Sequence, residues 1–235
     1  MNKSMQQLAA AAMIAASALA FTATPAYAQN EGQVLVDKAD TTLSNFLRDP
    51  EMKWLQQNIG KARGVLIVPE IVKAGFIIGG SGGRGLLVAK EGGKWVGPAF
   101  YTLATASVGF QAGVAASENV TLVMTQKGMD SLLSSTFKMG ADASVAAGPV
   151  GAGAKSDVVA DLITFSRSKG LYGGLNLDGT VVSVNDDWNK AYYGTPVMAP
   201  DVIVRGTAHS KQADKILSDI SAKSSGKAPK KAASM

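Results

Sequence analysis

The residues whose types and spacing could do chemistry gather in four places. Gly80-Ser81-Gly82-Gly83-Arg84-Gly85 fits the G-x-G-x-x-G pattern, in which a glycine turn brings backbone close to a pyrophosphate held at a helix N-terminus. The same stretch satisfies G-x-S-x-G from Gly79 through Ser81 to Gly83, and Asp201 and His209 follow in the chain order of a hydrolase triad. Ser166-Arg167-Ser168-Lys169 matches the S-x-x-K of acyl-serine enzymes. Asn185-Asp186-Asp187-Trp188-Asn189 concentrates hard oxygen donors of the kind calcium takes.

Each motif fails on its context. Both glycine motifs need a helix after the turn, and Leu86-Leu87-Val88 follows instead, a strand pattern that makes the glycine run a hairpin loop. His209 sits at the edge of a basic tail, where triad geometry is hard to hold. The S-x-x-K tetrapeptide lacks its companion motifs. The Asn185–Asn189 cluster lacks EF-hand spacing and reads as a turn that caps the following helix. With no cysteine and one histidine, thiol nucleophiles, thiolate zinc sites, iron–sulfur clusters and multi-histidine centres are excluded. No catalytic residue, metal or cofactor is expected, so the chain reads as a binding module.

The elements that must carry such a module follow from composition and periodicity. At 46% hydrophobic and 17% charged residues, the 235-residue chain can build a core. Lys3, the apolar run Leu8 to Phe21 and the A-x-A site Ala26-Tyr27-Ala28 form a secretory signal peptide over residues 1–28, which predicts a periplasmic or secreted protein. Export lowers the standing of nucleic acid as a partner. The net charge of +5 also has a location: residues 29–210 carry equal numbers of acidic and basic side chains, and six lysines crowd residues 211–235. The last of these residues have the Ser/Gly/Pro/Lys composition of a flexible tail.

Val36, Ala39, Leu43, Phe46 and Leu47 recur at helical spacing, and Asp49-Pro50-Glu51 opens a second helix toward Ala62 with Met52, Leu55 and Ile59 on its apolar stripe. From Gly64 the period becomes two. Val65 to Val68, Phe76 to Ile78, Leu86 to Val88, Phe100 to Val114 with a bend near Gly109, Phe137 to Val145, and Leu171 to Val181 across an Asp178-Gly179 turn read as strands. Gly128 to Ser135 and Trp188 to Tyr193 read as short helices. The fold class is α+β: a mostly antiparallel, Gly-rich sheet curled toward a barrel, with N-terminal amphipathic helices over about 34–62. A domain over 29–195 is followed by a 196–235 extension with a short helix and the basic tail.

Long motifs then carry a resemblance. Residues 62–76, Gly97-Pro98-Ala99-Phe100-Tyr101, residues 107–113, Ala147-Gly148-Pro149-Val150-Gly151, Phe165 to Gly174 and Tyr192-Tyr193-Gly194 resemble, in order, the SYLF domain family over about residues 35–195. That resemblance implies a non-enzymatic lipid-binding domain. Eukaryotic members bind phosphoinositide-containing membranes and actin, the former with help from an amphipathic N-terminal helix that corresponds to residues 35–62 here. Actin is not expected of an exported member, and an envelope protein is the alternative partner to an anionic phospholipid surface. The residues expected to contact lipid are Lys53, Trp54, Lys61, Arg63 and Lys73. Two outcomes check this reading: N-terminal sequencing of the exported protein should begin at Gln29, and an active-site phosphonate probe should leave Ser81 unlabelled.

Overall fold

A computed structural model describes residues 23–75, 78–108, 113–151, 158–168, 171–172, 177 and 179–225. Helix α1 (Ala23–Arg48) buries Val36, Ala39, Leu43, Phe46 and Leu47, the stripe its spacing predicts. Asp49 stops it and starts the next turn, its Oδ1 accepting the Glu51 N–H at 2.9 Å with Pro50 in the first helical position. The predicted helix from Pro50 to Ala62 is segmented: a 3-10 turn (Pro50–Met52), α2 (Lys53–Asn58) and a second 3-10 turn (Ile59–Lys61). Its stripe still holds, because Met52, Leu55 and Ile59 are buried.

The strands are β1 (Gly64–Gly75), β2 (Ile78–Glu91), β3 (Lys94–Val108), β4 (Gly113–Val123), β5 (Thr136–Lys138), β6 (Val145–Ala147), β7 (Leu162–Ser168), β8 (Leu171–Tyr172) and β9 (Val181–Val184). They form one sheet in the order β5-β9-β3-β2-β1-β4-β7-β6, with β8 beside β7, that curls into a half-barrel. Every pairing between these strands is antiparallel except β6 with β7. Helices α3 (Gln126–Leu133), α4 (Asp186–Tyr193) and α5 (Asp214–Ser224) complete an α+β fold.

Three sequence expectations are corrected. The Gly79–Gly85 run is the middle of β2, paired on both sides, and not a hairpin loop. The alternation from Phe100 to Val114 divides between β3 and β4, which are separated in the sheet by β2 and β1; Gly109, where a bend was expected, lies outside the described residues. Phe137 to Val145 is not one strand, because Asp142 accepts the Lys138 N–H at 2.6 Å and closes a turn between β5 and β6. In each case the outcome was set by tertiary pairing that the local pattern does not announce. Phe76, Leu175 and Asp178 lie outside the described residues.

The sheet is buried on both faces over its lower half. Val65, Ile67, Leu86, Val88, Phe100, Val120 and Leu122 pack under α1, α2 and α5. Leu66, Val68, Leu87, Ala99, Tyr101 and Val123 face the opposite layer, which includes Met129 and Leu132 of α3 with Val202 and Ile203 of a π-helical turn (Asp201–Arg205). Burial on both sides explains why these segments read as near-continuous apolar runs. Polar residues inside are paired across strands: Asn119 Nδ2 donates to Ser166 Oγ at 2.9 Å, and the Thr121 and Thr164 hydroxyls share a 2.8 Å bond.

A bulge in β1 governs the rest. Pro69 has no N–H for a ladder and sits where the registers with both β2 and β4 slip by a residue. The slip presses β1 onto β2: a Cβ on Gly83 would lie 2.5 Å from the Glu70 carbonyl, and one on Gly85 would lie 2.7 Å from that of Ile67. Two glycines of the run read from sequence as a hairpin loop, Gly83 and Gly85, are therefore required by strand packing.

Asp161 joins three elements at the start of β7. Its carboxylate accepts from the Thr125 hydroxyl at 2.5 Å, the Ser144 N–H at 2.9 Å and the Ser144 hydroxyl at 2.8 Å. Those bonds, led by Thr125 and helped by Lys127, hold its carboxyl down at about 2. A depressed carboxyl stabilises the fold above its ordinary range and loses that contribution as pH falls from about 4 to about 2. Asp161→Ala should therefore lower unfolding free energy by roughly 2 kcal/mol at neutral pH. Its stability should also be flatter than that of the native protein between pH 4 and 2, as urea titrations will read.

Candidate functional site

The lower edge of the sheet gathers cations from separate stretches of sequence. Arg63, just before β1, donates its N–H to the Val123 carbonyl at 2.8 Å and accepts the Lys90 N–H at 2.7 Å, which fixes it between the ends of β4 and β2. Lys90 and Lys94 flank Gly92-Gly93, whose φ values of 56° and 81° allow the tight turn that brings both lysines to the same edge. Lys61 closes the second 3-10 turn, and Lys90 Nζ reaches the Gly60 carbonyl there at 3.3 Å. Helix α5 ends at this edge, because Trp95 Nε1 donates to Ser224 Oγ at 2.9 Å. Lys223 thus joins Lys61, Arg63, Lys90 and Lys94, with Glu91 as the carboxylate in the same turn.

Lys61, Arg63, Lys90 and Lys94 are exposed, and none forms an ion pair with a carboxylate among the described residues. Lys61 and Arg63 instead bond neutral partners, Asn58 Oδ1 at 3.0 Å and Gln126 Oε1 at 2.9 Å. Their charge is oriented but not cancelled. The lysines of residues 226–235 follow directly on α5 in the chain.

The sequence-predicted contact residues do not form a single patch. Lys61 and Arg63 lie together at this edge, while Lys73 lies toward the far end of β1, about 30 Å away at roughly 3.3 Å per residue. Lys53 is exposed at the start of α2. Trp54 is half-buried, its ring 5.9 Å from that of Phe165, so it belongs to the packed body. Lys90 and Lys94 were missed by sequence reading, although the Gly-Gly pair between them signals a turn that places them beside Arg63.

The other sequence motifs make structural contacts, and Lys169 of the S-x-x-K match lies outside the described residues. Asn185 Oδ1 accepts the Trp188 N–H at 3.1 Å as the α4 cap, and Asn189 Oδ1 accepts the Phe100 N–H at 2.9 Å. Tyr193 donates to the Pro98 carbonyl at 2.8 Å while Tyr192 meets Phe100 edge-on at 5.0 Å. Ser81 lies in β2, and His209 forms a 3.3 Å contact with Asp214. No helix among the described residues is long and apolar enough to cross a membrane.

Residues 104–223 match the family model described as Ysc84, Las17-binding protein actin regulator, and the chain belongs to this family, the SYLF domain family. The chain is 28% identical over 162 residues to human SH3 domain-containing YSC84-like protein 1, an alignment covering 66% of this chain and 47% of that protein. It is 31% identical over 170 residues to LAS seventeen-binding protein 3 of Saccharomyces cerevisiae (strain ATCC 204508 / S288c), covering 67% of this chain and 37% of that protein. The chain therefore spans about half or less of the relatives it matches. The family is one of binding and regulatory proteins.

Because Trp54 packs against Phe165, Trp54→Ala should destabilise the fold by roughly 2 kcal/mol. Thermal unfolding measures it, and an unchanged midpoint would show that the ring is free of the body.

Proposed function

We propose that the protein is a non-enzymatic module, working in the periplasm or outside the cell, that docks on anionic phospholipid surfaces. The observation that supports this reading is the basic lower edge: Lys61, Arg63, Lys90 and Lys94 project there without carboxylate partners among the described residues. Each basic residue near an anionic bilayer contributes on the order of 1 kcal/mol, and salt screens it. A neutral body with its excess charge at one edge and in one tail would meet a membrane in one orientation. Lys53 and Lys73 add attraction only after that orientation is set, and Trp54 supports the edge from within.

Flotation with vesicles of phosphatidylglycerol and phosphatidylcholine tests the reading. Binding is expected to the anionic vesicles at low salt and to fall as salt rises. The double substitution Lys61→Glu with Arg63→Glu should weaken it by at least about tenfold. Binding that ignores both salt and these substitutions would contradict the proposal. The description of the family as a regulator of actin favours a second reading, a protein partner. Cosedimentation with filamentous actin addresses it, and none is expected of an exported protein.

A further inference from the structure

Above the lower half of the sheet, α1 overhangs a trough that no side chain among the described residues fills. Its floor crosses the strands on the α1 side: Thr102 and Ala104 of β3, Gly82 of β2, Val72 of β1 and Ala116 of β4. Two adjoining cavities of 870 and 730 Å³ share Val34, Lys38, Pro69 and Glu70 along this path. From β3 to Arg167 of β7 the path spans four strand spacings, about 19 Å. Val34 and Val72, one from the roof and one from the floor, are 46% and 42% exposed and lack apolar cover.

The floor is low for no packing reason. A Cβ on Gly82 would meet only the Leu103 carbonyl, at 3.5 Å, so this glycine has room for a side chain, unlike Gly83 and Gly85 next to it. The trough's midpoint is crossed by the Lys38–Glu70 pair, 3.9 Å apart with both side chains more than half exposed. A pair of that kind contributes little and parts easily.

The two ends differ in charge. Arg167 lies 5.4 Å from the Phe46 ring and is ion-paired with Glu118. Arg84 lies 4.6 Å over the Trp188 ring and has no ion pair among the described residues, although Glu31 lines the same cavity. Asp37, Glu70 and Glu118 also line the path, with Glu70 paired to Lys38 and Glu118 to Arg167, so Arg84 is the lining guanidinium without an ion pair among the described residues. That end, opening on Val34, Val72 and Ala104, complements a molecule with a long apolar chain and one anionic head.

We propose that this trough binds a single-chain anionic amphiphile, its chain lying under α1 and its carboxylate or phosphate on Arg84. The site is separate from the basic lower edge and does not depend on the membrane reading. A free fatty acid and a lysophospholipid share this chemistry and differ in the head.

Dansyl-undecanoic acid titrated into the purified protein tests the proposal. Its emission should rise and shift to the blue, then fall again on competition with palmitate or with lysophosphatidylglycerol, whichever head fits displacing it at the lower concentration. Gly82→Leu and Ala104→Trp each fill the floor and should weaken probe binding by at least about tenfold with unfolding midpoints retained. Arg84→Gln should weaken the anionic probe by about tenfold and leave displacement by an uncharged long-chain alcohol unchanged, relative to the native protein. Lys61→Glu with Arg63→Glu should bind the probe normally, so loss of vesicle docking and loss of amphiphile binding are separable. No probe binding to the native protein would overturn the proposal, as would undiminished binding to folded Gly82→Leu and Ala104→Trp variants.

Discussion

Pro69 in the middle of a strand paired on both sides is the constraint on which the rest of the structure depends. A proline there cannot complete a ladder, so β1 bulges against both neighbours. One extra residue reverses the inside–outside alternation. Below the bulge Val65 and Ile67 face α1; above it Glu70 and Val72 do, while Ile71 joins the opposite core. The bulge also makes glycine necessary at Gly83 and Gly85, leaving β2 without bulk on the face it shares with Val68. The reversed alternation, which puts Glu70 and Val72 on the α1 side, sets where that face passes from packed sandwich to open trough.

Apolar burial holds the helices to that sheet, and charge orients them. Helix α5 docks through Ile216 and Ile220, both fully buried, with Ala213 just ahead of it. Lys215 then bonds Asp40 of α1, whose carboxyl is nonetheless pushed up because desolvation outweighs the lysine, and Asp40 Oδ1 has no partner among the described residues. Such a half-satisfied ion pair adds little net stability, and it ties α5 to α1 at one point. The far end of α5 reaches the lower edge, where Ser224 accepts from Trp95.

Much of the fold was legible, for identifiable reasons. The stripe Val36 to Leu47, the Asp49-Pro50 start and the short helices at 128–135 and 188–193 follow from local rules, and each has its counterpart in the structure. The glycine run did not, since a strand rich in glycine is dictated by a neighbour's bulge that no local pattern announces. Phe100 to Val114 misled for a related reason: alternation says nothing about which strand lies next to which. At the candidate edge, Lys61 and Arg63 were visible as flanks of an apolar stripe. Lys90 and Lys94 needed the pairing of β2 with β3 to be seen beside them. Trp54 was read from sequence as a lipid contact, and its place opposite Phe165 was not legible because it depends on β7, over a hundred residues away.

The family's long signature motifs, in the same light, are largely the joints of the body: Phe100 with Tyr192, Pro98 with Tyr193, Glu118 with Arg167. On the proposed reading, membrane docking is then left to the lower edge of this body. Hydrogen exchange of the protein on phosphatidylglycerol vesicles tests that division most directly. New protection should appear at residues 58–63, 90–95 and 221–225, with exchange around Lys73 unchanged. Protection centred on Lys73, or none anywhere on a vesicle-bound protein, would contradict it.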